Sequence, residues 1–262
     1  MDTPFGFDVE LDPGLFTLDA LDALYHRGVA QGKAGAQDAD PGFERKEDPP
    51  LIPLERPLAE ELAARKLHVW FSDVPEWAPE YGAARDKVLD AAGIDRSQRL
   101  FHLVANIRIF SPEGPVALHA DPETQINVGV GGRNVWHFSW PSGLSQEEHE
   151  NLLHGGHFLR WRELEIWKTF DLAPGNACAA PPRWPHWLEH PGPDPAVSFE
   201  VGFFTVEDIR DRKVWDVNWM LRKTRVVKPR PPRESAGNDR LKHRVFDAIS
   251  VATRRGTEFR GV

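Results

Sequence analysis

The stretch from Phe101 to Trp140 reads FHLVANIRIF SPEGPVALHA DPETQINVGV GGRNVWHFSW. It divides into short runs of apolar, β-branched and aromatic residues separated by Pro and Gly turns, which is the pattern of consecutive β-strands. The predicted strands are Phe101–Phe110, Val116–Asp121, Gln125–Val130 and Asn134–Trp140, followed at similar spacing by Trp167–Leu172, Ala177–Ala180 and Val197–Thr205. This spacing predicts an antiparallel sandwich or barrel rather than a parallel sheet joined by long helical crossovers.

Helical patterns lie on both sides of this β core. Apolar periodicity with Pro or Gly boundaries predicts helices at Leu15–Val29, Pro57–Ala64, Pro79–Ala92, Val206–Arg222 and Asp239–Arg254. Residues 31–56 are rich in Gly, Asp, Glu and Pro and are predicted to form a long surface connection. Inside the core, Ser145 and Glu148 form a capping-box pattern. We therefore expect a mainly helical region at 1–99, a β core at 100–205 with a helical insertion at 145–165, and a helical region at 206–262.

Composition limits the class of protein. The 262 residues carry a net charge of −8 and a single cysteine, Cys178, which excludes an intrachain disulfide framework and a multi-cysteine zinc site. Leu221–Arg244 holds nine Lys and Arg against two acidic residues, but the acidic remainder would repel phosphate, so we do not expect nucleic-acid binding. No apolar run approaches a membrane span and no signal-peptide pattern is present, which predicts a cytoplasmic protein without a membrane partner.

Two histidines and one aspartate are the candidate metal ligands. His119 and Asp121 lie two residues apart on a predicted strand, so both side chains leave the same face and can hold one ion. His186 follows in the segment Pro-Pro-Arg-Trp-Pro-His-Trp, after a Pro-Gly turn. Two imidazoles and one carboxylate leave three positions open on an octahedral ion, the arrangement used by non-haem Fe(II) oxygenases. A surface hydrogen-bonded pair at 119 and 121, a packed His186, and a zinc hydrolase with the same ligands are the alternatives.

The order of motifs between Leu103 and Thr205 resembles the cupin-like JmjC family of Fe(II)- and 2-oxoglutarate-dependent oxygenases. The matching stretches are Ile109–Pro115, His119–Gln125 (His-Ala-Asp-Pro-Glu-Thr-Gln), Gly132–Asn134, Leu172–Asn176 (Leu-Ala-Pro-Gly-Asn), Pro181–Trp187 and the serine-containing strand Val197–Thr205. The resemblance implies a double-stranded β-helix, a jelly-roll or cupin core, from about Phe101 to Thr205. It also implies Fe(II) held by His119, Asp121 and His186, and 2-oxoglutarate bound beside Ser198.

Two positions depart from the family pattern. Gln125 stands where the family has asparagine, and Asn134 stands where the family has the lysine that pairs with the distal carboxylate of 2-oxoglutarate. A neutral amide does not neutralise that carboxylate, and an uncompensated buried charge is costly. Arg108 and Arg133 are the candidate replacement cations, and regular strand alternation points Arg133 away from Asn134, which favours Arg108.

Three functions remain open at this point. The resemblance implies an oxygenase that couples oxidative decarboxylation of 2-oxoglutarate to hydroxylation of a substrate. A protein side chain, a peptide, a sugar and a small metabolite all remain open as that substrate. The changed Gln125 and Asn134 leave room for a metal-binding cupin that does not use 2-oxoglutarate. They also leave room for a non-catalytic binding or regulatory jelly roll. A homodimer through the terminal helices is a further expectation.

Overall fold

Two facing antiparallel sheets form the centre of the fold in the computed structural model, which describes residues 1–39, 50–112, 116–154, 159, 162–224 and 229–253. The strands are β1 (Phe5–Asp8), β2 (Ala34–Asp38), β3 (Leu67–Phe71), β4 (Phe101–Phe110), β5 (Val116–His119), β6 (Thr124–Gly131), β7 (Asn134–Ser139), β8 (Ile166–Leu172), β9 (Asn176–Ala180), β10 (His186–Glu189) and β11 (Ala196–Phe204). The helices are α1 (Leu18–Ala30), α2 (Leu58–Ala64), α3 (Glu80–Ala91), α4 (Gln146–Asn151), α5 (Val206–Lys223) and α6 (Ala236–Thr253).

The strand order confirms the jelly-roll prediction. One sheet has the order β1-β9-β6-β11-β4-β3-β2 and the other has β5-β10-β7-β8. From β4 to β11 the chain crosses from one sheet to the other at every step except β7 to β8, which pair with each other in the smaller sheet. Eight strands wound in this way make a double-stranded β-helix, with four strands in each wall and an interior between them.

The N-terminal region corrects one expectation. Its three helices are present, but residues 1–99 also supply β1, β2 and β3, which extend the larger sheet at both edges. β2 lies inside the segment 31–56 that the composition assigned to a surface connection, and it pairs along its whole length with β3. Gly and Ala give β2 no strand signature of its own, so its pairing partner fixes its conformation. Residues 40–49 lie outside the described part of the chain.

Alternation along β11 separates the helix-packed side from the interior. Val197, Phe199 and Val201 belong to the cluster that packs against the N-terminal helices, whereas Ser198 and Glu200 point to the opposite face of the sheet. α1 covers the outer side with Leu21 and other residues spaced three or four apart. The polar side chains of β11 are therefore directed between the two sheets.

The C-terminal and inserted helices agree with their sequence signals. Ser145 and Glu148 form the capping box of α4, and Thr205 with Asp208 forms a second box that begins α5. α6 begins at Ala236, three residues earlier than predicted, and the predicted last residue, Arg254, lies outside the described residues. In the described part of the chain, no helix combines the length and hydropathy that a bilayer crossing requires.

Gly129 on β6 lies very close to the backbone at the end of β8. A Cβ built there would lie 2.6 Å from the carbonyl oxygen of Leu172 and 2.7 Å from that of Ala173, both of which are backbone atoms. Since the backbone cannot yield as a side-chain tip does, we expect Gly129→Ala to lower the free energy of unfolding by about 1–3 kcal/mol. Gly82→Ala in α3, where no atom lies within 4 Å, should raise it by up to about 1 kcal/mol.

Guanidinium denaturation of the two variants measures this difference. Equal stability of Gly129→Ala and the wild type would contradict the close approach of β6 to the end of β8.

Candidate metal centre

His186 is placed by strand pairing in the smaller sheet. β10 pairs with β5 so that His186 stands opposite His119, and it pairs with β7 so that His186 stands opposite Phe138. The His119 and His186 rings lie 4.1 Å apart, and Trp136 and Phe138 flank the His186 ring at 5.1 and 5.3 Å. Only 2% of the His186 side chain is exposed. The large aromatic side chains of β7 therefore bury this imidazole at the wall of the barrel.

The structure brings the three predicted ligands together. His119, Asp121 and His186 each offer one ligand atom, and these atoms all lie within 4.8 Å of one another. His186 Nε2 lies 3.4 Å from Asp121 Oδ2. Two adjacent ligands of an octahedral ion with bonds near 2.1 Å are separated by about 3 Å, so the spacing suits one shared ion.

The hydrogen bonding of His186 leaves a lone pair for that ion. Its Nδ1 lies 2.9 Å from the carbonyl oxygen of Trp184, and a carbonyl only accepts, so Nδ1 carries the proton. The other nitrogen, Nε2, is buried and has no hydrogen-bond partner within the part of the chain that the structure describes. Burial, assisted by the charge of His119, lowers the pKa of His186 to about 4, while Asp121 acts in the opposite direction. The ring is therefore neutral at pH 7, which is the metal-binding form.

A backbone contact joins the two loops that carry the ligands. The amide of Arg183 donates to the carbonyl oxygen of Asp121 at 2.7 Å. Arg183 adopts φ +69°, and its guanidinium donates to the carbonyl oxygen of His149 at 2.6 Å and lies over the ring of Trp215. These contacts fix the segment before His186 against the segment that contains Asp121.

Glu123 and Gln125 lie beside this centre on the loop and strand that follow Asp121. Gln125 Nε2 donates to Glu123 Oε1 at 3.0 Å, while Gln125 Oε1 is buried without a partner. Burial first, and then the charge of Asp121, raise the pKa of Glu123 to about 7. The predicted Gln125 thus faces the interior, but it is already bonded to a neighbouring carboxyl group.

One layer of the barrel interior, the deep layer, contains Asn134, Ser198 and Arg108, which are three of the other predicted cofactor residues. Asn134 pairs with Leu172, whose carbonyl oxygen approaches Gly129. Gly129 pairs with Ser198, and Ser198 pairs with Arg108 on the next strand. Among the described residues, neither polar atom of the Asn134 side chain has a hydrogen-bond partner, and Ser198 Oγ has none. Buried polar atoms without partners are rare, so this layer has the donors and acceptors of a ligand cavity.

The two candidate cations differ sharply. Arg133 pairs with Asp171 at 2.8 and 2.5 Å on the outer surface, with 53% of its side chain exposed, so its assignment to the cavity was wrong. The next residue, Asn134, points inward, and alternation directs Arg133 outward. Arg108 is on the inner face, 30% exposed, and its Nε donates to Glu200 Oε2 at 3.2 Å.

Several interior residues escaped the sequence analysis. Asn127 and Glu200 pair across β6 and β11, and Asn127 Nδ2 is buried without a partner, as is Trp136 Nε1. Glu200 lies two residues after Ser198, so alternation along that strand was the available signal for it. Lys168 is also in register with Phe138, but its side chain is exposed and its Nζ lies 4.8 Å from the Phe170 ring centroid.

A cleft of about 520 Å³ adjoins the same loops. Its walls include Pro122 and Arg183, which are neighbours in sequence of the ligand-bearing segments, and Trp184, Asp208 and Trp215. It lies between the barrel and α5, and therefore offers a surface on which a larger molecule can approach the centre.

His190 gives the fold a measurable pH dependence. Both ring nitrogens are buried without partners, and the ring stacks on Phe110 at 4.4 Å. Burial lowers its pKa to about 4. In the unfolded chain this imidazole binds a proton near pH 6.5, whereas the buried ring binds one only near pH 4. The contribution of the neutral ring to the free energy of unfolding is therefore complete above pH 6.5 and is lost as the pH falls towards 4. Between pH 7.5 and 5 the loss is about 2 kcal/mol.

Replacing His190 by Phe keeps the stacking and removes this titration. We therefore expect the metal-free His190→Phe protein to lose about 2 kcal/mol less stability than the wild type between pH 7.5 and 5, measured by denaturant unfolding. His26→Gln, at an exposed position on α1, is the control and should follow the wild type. Identical pH profiles for His190→Phe and the wild type would contradict the burial of this ring.

No family model matches the chain, and no curated protein matches it. An X-ray structure of Escherichia coli YcfD matches with a TM-score of 0.55 at 17% identity, covering 98% of this chain and 66% of that one. The chain shares the YcfD fold. A YcfD structure described as a ribosomal oxygenase in complex with cobalt and 2-oxoglutarate gives 0.54 at 17%, covering 98% and 64%.

This chain spans slightly less than two thirds of the length of the YcfD chains. At 17% identity the likeness establishes the double-stranded β-helix, which the strand order independently gives. The cobalt and 2-oxoglutarate belong to the YcfD complex, and the likeness at 17% identity extends to the fold alone.

Proposed function

We propose that this protein is a non-haem Fe(II)- and 2-oxoglutarate-dependent oxygenase, a hydroxylase of the cupin-like JmjC type. The observation that carries the proposal is the convergence of His119, Asp121 and His186, with the unpartnered Nε2 of a neutral, buried His186 directed at the other two. The shared fold with YcfD, one structure of which holds cobalt and 2-oxoglutarate, supports it.

Each residue has a stated task in this proposal. The iron, when bound, would supply oxidative decarboxylation of 2-oxoglutarate coupled to hydroxylation of a substrate C–H bond. Asp121 contributes the negative charge of the centre, and the Trp184 carbonyl fixes the orientation of His186. Trp136 and Phe138 exclude water from one side. Asn134, Ser198 and Gln125 are the proposed cosubstrate contacts, and Arg108 is the proposed cation for its distal carboxylate.

Anaerobic titration with Fe(II) and then 2-oxoglutarate tests the proposal. An oxygenase of this type should develop a visible charge-transfer band when both are present. Tight Fe(II) binding without the band, even at millimolar 2-oxoglutarate, would favour the second candidate, a metal-dependent cupin that does not use 2-oxoglutarate, for which the neutral Asn134 is the supporting observation. Absence of Fe(II) binding would favour a non-catalytic binding module.

The substrate and the assembly are also matters of proposal. The cleft beside Pro122 and Arg183 is the candidate substrate surface, and a protein side chain, a peptide, a sugar and a small metabolite all remain compatible with it. The homodimer through the terminal helices stays a prediction, to be decided by light scattering; Leu241 and Val245 on α6 are exposed apolar positions at helical spacing. A cytoplasmic location also stays a prediction.

A further inference from the structure

Glu200 occupies the middle layer of the barrel interior. On β11 it lies two residues from Ser198, in the deep layer with Asn134, and two residues from Gly202, which pairs with Gln125 near the metal centre. Two residues of a strand span about 7 Å. A molecule that extends from the metal centre to Asn134 therefore passes the position of Glu200.

The Glu200 carboxylate is desolvated and has one cationic partner. Its side chain is 14% exposed, and Arg108 Nε is 3.2 Å from its Oε2. Burial raises the pKa of Glu200, the charge of Arg108 lowers it, and the charge of Asp121 raises it again, so the metal centre is within electrostatic reach. Among the described residues, the Arg108 guanidinium makes this hydrogen bond and no other. Its Nη donors therefore remain for a ligand.

We propose that Glu200 limits the affinity of the barrel interior for a dicarboxylate, because it competes with that ligand for the guanidinium of Arg108. Two physical effects follow from its position. A dicarboxylate must share or displace Glu200 to reach Arg108, and it is repelled by the Glu200 charge while it does so. The proposal rests on the proposed function only for the path of the ligand between the metal centre and Asn134.

Because Asn134 is neutral, the Arg108–Glu200 pair is important for the affinity of the interior for a dicarboxylate. A lysine at that position would meet a distal carboxylate directly, whereas the amide offers only neutral hydrogen bonds. Arg108 is in register with Ser198, which lies in the same layer as Asn134. The inner face of the larger sheet therefore directs the Arg108 guanidinium at that layer. Affinity for a dicarboxylate then depends on how tightly Glu200 retains Arg108.

Calorimetric titration of 2-oxoglutarate into Zn(II)-loaded protein tests the proposal. Glu200→Gln keeps the size of the side chain and removes its charge, and we expect the variant to bind 2-oxoglutarate about tenfold more tightly than the wild type. Glu189→Gln is the matched control, because Glu189 lies on β10 with 59% of its side chain exposed and should leave affinity unchanged. Equal affinity of Glu200→Gln and the wild type would overturn the proposal.

A double variant separates the pair from simple repulsion. If Glu200 acts by holding Arg108, the gain from Glu200→Gln should fall to about twofold or less when it is made in the Arg108→Ala background. An equal gain in both backgrounds would show that Glu200 acts without Arg108, and would overturn the proposed role. Thermal melting of all four proteins identifies a variant that has failed to fold, and Arg108→Lys then replaces Arg108→Ala in the cycle.

The charge-transfer titration on the same proteins distinguishes this inference from the proposed function. Tighter 2-oxoglutarate binding by Glu200→Gln without any band with Fe(II) supports the inference and rejects the oxygenase. A band in the wild type with unchanged 2-oxoglutarate affinity in Glu200→Gln supports the oxygenase and rejects the inference.

Discussion

Replacing Asp121 by Ala is expected to abolish tight Fe(II) binding. The substitution removes the anionic ligand of the centre and leaves two imidazoles, of which His186 is held in its ligand form by Trp184. Loss of a side chain that only hydrogen-bonds to a metal ligand lowers metal affinity by about 10- to 100-fold. Loss of a carboxylate that binds the metal directly should therefore weaken binding by at least about 100-fold. Metal content after anaerobic loading and gel filtration measures the effect.

Asp171→Ala is the control for this experiment. Asp171 is half exposed on the outer face of β8 and pairs with Arg133, so its loss removes a carboxylate without approaching the centre. It should load iron as the wild type does. Unchanged metal content in a folded Asp121→Ala protein would contradict the assignment of the ligands.

Replacing Arg108 by Ala is expected to weaken 2-oxoglutarate binding by about 10- to 100-fold, because a hydrogen bond to a charged group contributes about 1.5–3 kcal/mol. The effect is smaller than bare Coulomb attraction suggests, since the side chain is 30% exposed and partly engaged by Glu200. Calorimetry on Zn(II)-loaded protein checks it, and the metal affinity itself should be unaffected.

Two other cations serve as controls for Arg108. Arg133→Ala removes a guanidinium that points outward and should leave 2-oxoglutarate affinity unchanged. Lys168→Ala removes an exposed cation near Phe170 and should also leave it unchanged. Robust binding by Arg108→Ala would show that the anchor is elsewhere, and a loss confined to Lys168→Ala would identify it.

Strand periodicity explains how much of the fold could be predicted. β4 was predicted with its observed ends, and most other strands of the barrel within about two residues, because short apolar runs between Pro and Gly turns carry their own signal. β2 was missed, because Gly and Ala acquire strand conformation there only through pairing with β3. β10 has four residues and follows a Pro-rich segment, so local pattern did not mark it as a strand.

The candidate site divides in a similar way. Spacing of two residues was enough to place His119 and Asp121 on one face, and motif order was enough to add His186. Alternation predicted that Arg133 points away from Asn134, and Arg133 is bonded to Asp171 on the outer face, while Arg108 as the cosubstrate anchor stays a prediction. Glu200 was missed although it shares a strand face with Ser198, because tertiary packing decides which face of β11 lines the barrel interior.

The sequence by itself determined the β-rich core, its helical flanks and the identity of the three metal-ligand candidates, because each depends on periodicity or spacing within a few residues. Only the tertiary structure decided that His186 stands opposite His119, that Arg133 is bonded to Asp171 outside the barrel, and that Arg108 is bonded to Glu200 inside it. These facts depend on register between strands distant in sequence. Register is set by the burial of whole faces, which no single segment specifies.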